Sequence, residues 1–266
     1  MKLRPVESKK SIRLSDGDAR VKDLGMSEQE IEDATEKEVG KIAELQRVFY
    51  ADARFSLLIV LQGRDASGKD GTIRKVFTAV NPQGCTVTSF KAPTEAELSQ
   101  DYLWRIHLHI PPRRMIGIFN RSQYEDVIVP RVHDLLPKPV LEKRYKQINA
   151  FEKMLAENGV VILKFLLHIS RGEQRKRLQE RIDDPQKNWK FQLGDLDDRA
   201  RWNAFTKAYH AALANTSTKW APWYIVPADD KKVRNYLISR MIASTLKSLK
   251  LRYPPANPDI VGLEVK

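Results

Sequence analysis

Residues 63–71 read GRDASGKDG, and their types and spacing suit one task, the holding of phosphate. Gly63 and Gly68-Lys69 bound the pattern G-x-x-x-x-G-K, with Arg64, Asp65, Ala66 and Ser67 inside it and Asp70 and Gly71 after it. Glycines let consecutive backbone N–H groups turn inward on phosphate oxygens, and a helix starting there adds partial positive charge. Lys69 supplies a full charge at the phosphate that moves. The position after the lysine usually carries Ser or Thr for Mg²⁺, but here it is Asp70. Asp65, inside the loop, becomes the candidate oxygen ligand, because Mg²⁺ is bound by carboxylates plus phosphates and water.

A second chemically capable set follows an apolar stretch at 115–119. It comprises Asn120, Arg121, Glu125 and Asp126, with Arg131 beyond. An acid after such a strand organises the metal of a phosphate-loop enzyme, and cations around it neutralise the moving group. Lys69, Arg121, Arg131 and a metal held by Asp65 and Asp126 would meet that need. The competing reading is a surface loop with a solvated Arg–Glu pair. The third set lies at 171–207, where ten cations, among them Arg177, Arg181, Lys187 and Lys190, face seven acids. A salt-bridged helical face competes there with a mobile lid that excludes water and brings in basic side chains. Trp189 and Phe191 would pack that lid or stack on a base, and Trp202 reads as core.

Positioning these groups demands a particular order of elements. Residues 57–61 are continuously apolar, a strand buried on both faces. After the loop, Ile73, Val76, Phe77 and Val80 have helical spacing. Ser27-x-x-Glu30 opens an earlier helix with Ile31, Ala34, Ile42, Leu45 and Phe49 on one side. Residues 1–25 before it read as a basic arm, lying on the surface or disordered. Further strands are predicted at 85–90, 115–119, 160–167 and 223–226. Helices are predicted from Pro93-Thr94, over 137–157, from Ser170 to 183, over 197–215 and over 232–249, followed by a tail at 251–266. Five strands alternating with helices imply an α/β fold, one doubly wound five-stranded parallel sheet in a single domain over 26–250. The three chemical sets all fall at the carboxyl edge of that sheet, where such folds bind ligands.

Composition narrows the class. The chain has 266 residues, 42% hydrophobic and 30% charged, which is ordinary for a globular protein and excludes disorder. Its 46 Lys and Arg against 34 Asp and Glu leave +12, a field that favours a polyanionic partner. No run of 18 apolar residues and no signal-peptide core are found, so neither a membrane span nor secretion is expected. Cys85 is the only cysteine, which points to the reducing cytoplasm and reads as a core thiol. His107 and His109 would sit on different faces of a helix and are no metal pair. His133 and His168 are isolated, and Trp104, Trp220 and Trp223 read as core.

The segments QGRDASGKDGTIRKVF, NPQGCTVTSFKAPTEAEL, DYLWRIH, FNRSQYEDV, RYKQINAFEKML, LHISRGEQRKRLQERIDDPQKNWKF and TKWAPWYIVPADDKK together resemble the polyphosphate kinase 2 family, over residues 40–250. The resemblance implies a phosphate-loop kinase fold, similar to thymidylate kinases, with a helical lid. It implies reversible transfer of a terminal phosphoryl group from inorganic polyphosphate to a nucleotide, with Mg²⁺ as cofactor and Mn²⁺ as its alternative. Tyr124-Glu125-Asp126 looks like the subgroup accepting nucleoside mono- and diphosphates, so AMP, ADP and guanine nucleotides are the implied acceptors. On this resemblance Asp65, Lys69 and Asp126 hold metal and phosphates, and Arg121 and Arg131 contact phosphates. Gly63, Arg64, Ala66, Ser67, Gly68, Asp70, Gly71, Asn120 and Glu125 complete the phosphate and nucleotide site, and Arg177, Arg181, Lys187 and Lys190 guide the polymer. Ser67 stands where many relatives have Gly or Ala, and Asn120 where the diphosphate-only subgroup has an acid, which shifts the metal role toward Asp126. Polyphosphate and nucleotides, rather than nucleic acid or membrane, are then the partners, and a homo-oligomer, dimer or tetramer, is expected. Two other readings stay open. One is an ATP-dependent nucleotide or small-metabolite kinase on the same core; the other is a basic nucleic-acid-binding module, which would need no acids facing phosphate.

Overall fold

All seven residues of β1 (Ser56–Gln62) are buried, so the strand has no solvent face and its sequence no alternation. Around it the computed structural model, which describes residues 2–7, 9–21, 23–260 and 262–265, builds a parallel sheet. The other strands are β2 (Cys85–Ser89), β3 (Ile116–Asn120), β4 (Val160–His168) and β5 (Trp223–Pro227), in the order β2-β3-β1-β4-β5. Leu57 of β1 lies opposite Ile116 on one side and Val161 on the other. The chain winds out to β2, returns through β3 and then crosses to β4 and β5. The crevice at the carboxyl end of β1 is therefore the switch point of a doubly wound sheet, as predicted.

In chain order the helices are α1 (Glu28–Asp52), α2 (Lys69–Val76), α3 (Glu95–Leu98), α4 (Trp104–His107), α5 (Glu125–Val132), α6 (Lys138–Glu157), α7 (Arg171–Asp183), α8 (Gly194–Ala200), α9 (Trp202–Thr216) and α10 (Lys231–Ser248). Leu57, Ile59 and Leu61 of β1 pack with Ile42 and Phe49 of α1, Val76 of α2 and Leu237 and Ile242 of α10. Leu58 and Val60 face the opposite way, toward Val127 of α5, Ile148 and Phe151 of α6 and Phe205 of α9. Each such buried aliphatic side chain contributes roughly 1.5–3 kcal/mol. The predicted caps form: the Ser27 hydroxyl accepts from the Glu30 N–H, Thr94 from Glu97 and Ser170 from Glu173.

Several expectations are corrected. The arm is neither loose nor superficial: Leu3, Val6, Ile12 and Ala19 are buried. The Val6 N–H donates to the Trp223 carbonyl (2.8 Å), and Pro5 forms an antiparallel bridge with Tyr224, so the arm closes the β5 edge. Met1, Ser8 and Lys22 of the arm, and Val261 and Lys266 of the tail, lie outside the described residues. The helix predicted over 197–215 is two helices, broken at Arg201 (φ −87°, ψ 25°). The segment at 125–132, for which a surface loop was the competing reading, is helical despite Pro130. Of the three tryptophans expected in the core only Trp223 is there, with 1% exposure, while Trp104 and Trp220 are 40% and 38% exposed. Cys85 is half-buried on the outermost strand, and burial pushes its thiol up to about 11. Among the described residues no helix is long and apolar enough to cross a membrane.

Candidate active site

The loop after β1 turns through three left-handed residues, Gly63 (φ 156°), Ala66 (φ 62°) and Gly68 (φ 99°). A Cβ on Gly63 would stand 2.6 Å from the Ser67 hydroxyl and 2.8 Å from the Leu167 carbonyl, and one on Gly68 would overlap the Arg234 guanidinium. Only glycine fits either place. Lys69 opens α2, is buried, and folds back to donate from Nζ to the carbonyls of Gly63 (2.8 Å) and Arg64 (3.2 Å). Burial, helped by the Arg121 charge, pulls its pKa down to about 8, against the acids Asp65, Glu125 and Asp70. Among the described residues the buried Ser67 hydroxyl has no partner, a state that costs about 1–3 kcal/mol and that a ligand oxygen would relieve.

Arg121, the first residue after β3, brings the loop and the second set together. Its backbone is left-handed (φ 65°), a strain of about 1–2 kcal/mol for a side-chain-bearing residue. Its Nη2 donates to Asp65 (2.5 Å) and its Nη1 to Glu125 (3.1 Å). Glu125, Asp65 and the surrounding acids hold the guanidinium pKa above its ordinary value. Gln62, at the end of β1, also donates to Glu125 (2.9 Å). Asn120 donates to Asp70 (2.7 Å), joining β3 to the first turn of α2.

Asp126 is not part of this junction. Its carboxylate accepts from the buried Arg105 (3.3 Å), its carbonyl from Arg144 (2.7 Å), and burial raises its pKa. The carboxylate that shares the Arg121 junction with Asp65 is Glu125, whereas the Asp126 carboxylate faces Arg105. Among the described residues no three His, Cys, Asp or Glu side chains converge into a ready-made cage. A donor set of one or two carboxylates at a phosphate loop does fit Mg²⁺, which takes the rest of its shell from phosphates and water. Arg131 lies on α5 near Tyr145.

Beneath the α5 N-terminus lies a polar network that sequence reasoning missed. Lys164 of β4 donates to Glu152 of α6 (2.6 Å), to the Tyr124 hydroxyl (2.7 Å) and to the Thr216 carbonyl (2.8 Å). Tyr124 donates in turn to Glu152 (2.7 Å). Burial pushes the Glu152 carboxyl up and the Lys164 ammonium down, each held charged by the other. The network anchors Tyr124, the residue before Glu125.

The lid cations divide. Arg177 is buried behind the loop, donating to the carbonyls of Ala66 (3.0 Å), Ala228 (2.8 Å) and Asp229 (2.6 Å), rather than standing on an open lid surface. Arg64 lines the cleft and reaches α9, where it donates to Thr206 (2.6 Å) and stacks 3.8 Å from the Trp202 ring. Arg181 pairs with Asp195 (3.3 Å), Lys187 with Asp184 (2.8 Å), and Lys190 covers the exposed Trp189 ring. Asp198 of α8, also unforeseen, lines the cleft with Asp65, Arg121, Glu125, Val129, Phe205 and Tyr209. The i, i+3 spacing of Asp195 and Asp198 on one helix face was the available signal; Arg234 had no local one.

Comparison with known proteins gives this geometry relatives. A sequence model of polyphosphate kinase 2 (PPK2) matches residues 25–254. The AMP/ADP-polyphosphate phosphotransferase of Meiothermus ruber is 53% identical over 214 residues, 80% of this chain and 80% of that one. The ADP-polyphosphate phosphotransferase of Rhodopseudomonas palustris is 46% identical over 233 residues, covering 83% and 81%. The crystal structure of a polyphosphate kinase 2 from Arthrobacter aurescens TC1 superposes with a TM-score of 0.87 at 37% identity, over 98% of this chain and 96% of that one.

Proposed function

Because the chain belongs to the polyphosphate kinase 2 family, we propose that it transfers the terminal phosphoryl group of inorganic polyphosphate to nucleoside mono- and diphosphates, AMP and ADP foremost. The observation that carries the reading is the Arg121 junction, where a strained arginine joins the acid of the phosphate loop to the acid after β3, beside Lys69. Phosphoryl transfer needs in-line positioning and cations around the moving group more than covalent help. The loop N–H groups and Lys69 bind the donor phosphates, and Arg121 neutralises the group in transit. Asp65, with Glu125 next to it, is the carboxylate suited to hold Mg²⁺, which when bound offsets charge on donor and acceptor phosphates. Val129, Phe205 and Tyr209 give the cleft an apolar wall for the nucleotide. Arg181, Lys187, Lys190 and Arg131 remain as cations for the polymer, while Arg177 acts on the loop backbone. Guanine nucleotides as further acceptors, reversibility, homo-oligomeric assembly and a cytoplasmic location belong to the same proposal.

The test is chromatographic separation of nucleotides after incubation with Mg²⁺, long-chain polyphosphate and AMP, with ADP in parallel. ADP and ATP should form from AMP, and Lys69→Ala should abolish both. Product from ADP alone would reject the monophosphate acceptor and keep the donor. Product that requires ATP in place of polyphosphate would overturn the reading.

A further inference from the structure

Arg234, in the first turn of α10, is 2% exposed, yet among the described residues it forms no ion pair. Its Nη1 reaches the Ser67 carbonyl (3.4 Å), and its Nε and Nη2 donate to the Asn235 amide oxygen (3.2 and 3.0 Å). Arg177 donates to the same Ser67 carbonyl (3.3 Å), so two guanidinium groups meet one peptide oxygen on the outer side of the loop. Burial, with the Arg177 charge beside it, pulls the Arg234 pKa down to about 10. Asp230 at the α10 N-cap attracts this charge without forming an ion pair, and a buried cation left unpaired destabilises the fold. A trans peptide is planar, so a Ser67 carbonyl held outward sends the Gly68 N–H to the opposite side, toward the loop interior.

We propose that Arg234 is a positioning residue for phosphate binding, which fixes the Ser67–Gly68 peptide from behind and whose charge is compensated when an anion enters the loop. It acts through the backbone and through its field, without touching substrate. Gly68 follows from the same contact, since a side chain there would displace the guanidinium. The inference rests on the reading of residues 63–69 as a phosphate site, and the experiment separates the two.

Thermal melting is measured with and without inorganic tripolyphosphate for the wild type, Arg234→Met and Asn235→Ala. The wild type should gain melting temperature with the anion. Arg234→Met should melt at or above the wild type without anion, lose most of the anion-induced rise, and bind tripolyphosphate at least about tenfold more weakly, the loss expected for a hydrogen bond from a charged group. Its KM for polyphosphate should rise more than its kcat falls. Asn235→Ala, which keeps the charge, should keep the rise. An anion-free Arg234→Met that melts lower or fails to fold overturns the proposal in favour of a packing role, as does an Arg234→Met that keeps the full rise. A wild type without any rise removes the phosphate reading itself, and this inference with it.

Discussion

Lys69 and Arg121 carry opposite perturbations a few ångströms from the same acids, and their chemistry divides accordingly. Arg121, held charged by Glu125 and Asp65, is a fixed cation at every accessible pH. Lys69, with its pKa lowered to about 8, loses charge in the free enzyme as pH rises through 8, whereas an unfolded lysine keeps it to 10.5. The kcat/KM for polyphosphate should therefore fall as pH passes 8, while kcat, measured with phosphates beside the ammonium, should hold to higher pH. A flat kcat/KM profile to pH 10 would take the Lys69 charge out of binding. Between those two pKa values the unfolded chain binds more protons at this residue, so its contribution makes stability rise with pH across the window. Replacing Arg121 with Met should lower kcat by about 100-fold, as loss of a transition-state charge donor does, with little effect on melting; an equal loss of melting and activity would assign it to structure.

At the scale of elements, the Glu152–Lys164 pair ties α6 to β4 and, through Tyr124, to the start of α5. Lys164→Met alone strands a buried carboxylate and should lower unfolding free energy by about 3–5 kcal/mol, whereas the double variant with Glu152→Gln should recover most of it. Urea denaturation of Lys164→Met, Glu152→Gln and the double variant checks this, and additive losses would show that the pair acts as two independent groups. Neither partner drew attention in the sequence, because Lys164 reads simply as one polar interruption in an apolar strand. What was legible is what neighbours in sequence decide: the apolar run of β1, the glycine loop, the caps at Ser27, Thr94 and Ser170, and the alternation that gives the sheet. The destinations of Arg64, Arg177 and Arg234 were not legible, since each is set by a carbonyl or ring far along the chain. That Glu125 rather than Asp126 meets Arg121 beside Asp65 follows from the helical phase of α5, which no periodicity around Pro130 announces.

For the whole molecule, the charge of +12 should appear in function as a salt effect. A polymer with about one negative charge per phosphate releases counterions on binding, so the KM for long polyphosphate should climb steeply with added salt while the KM for ADP changes much less. Equal slopes for both substrates would confine the cationic field to the catalytic cleft. The arm that closes the β5 edge has a consequence in time. The Ser217 hydroxyl donates to the Val6 carbonyl (2.6 Å) across a separation of 211 residues. At synthesis rates of roughly 5–20 residues per second, Val6 waits about 10–40 seconds for that partner to be made. Until then the sheet has no β5, and Pro5 and Val6 lack the strand they pair with. The arm is thus made long before the strand edge that it closes.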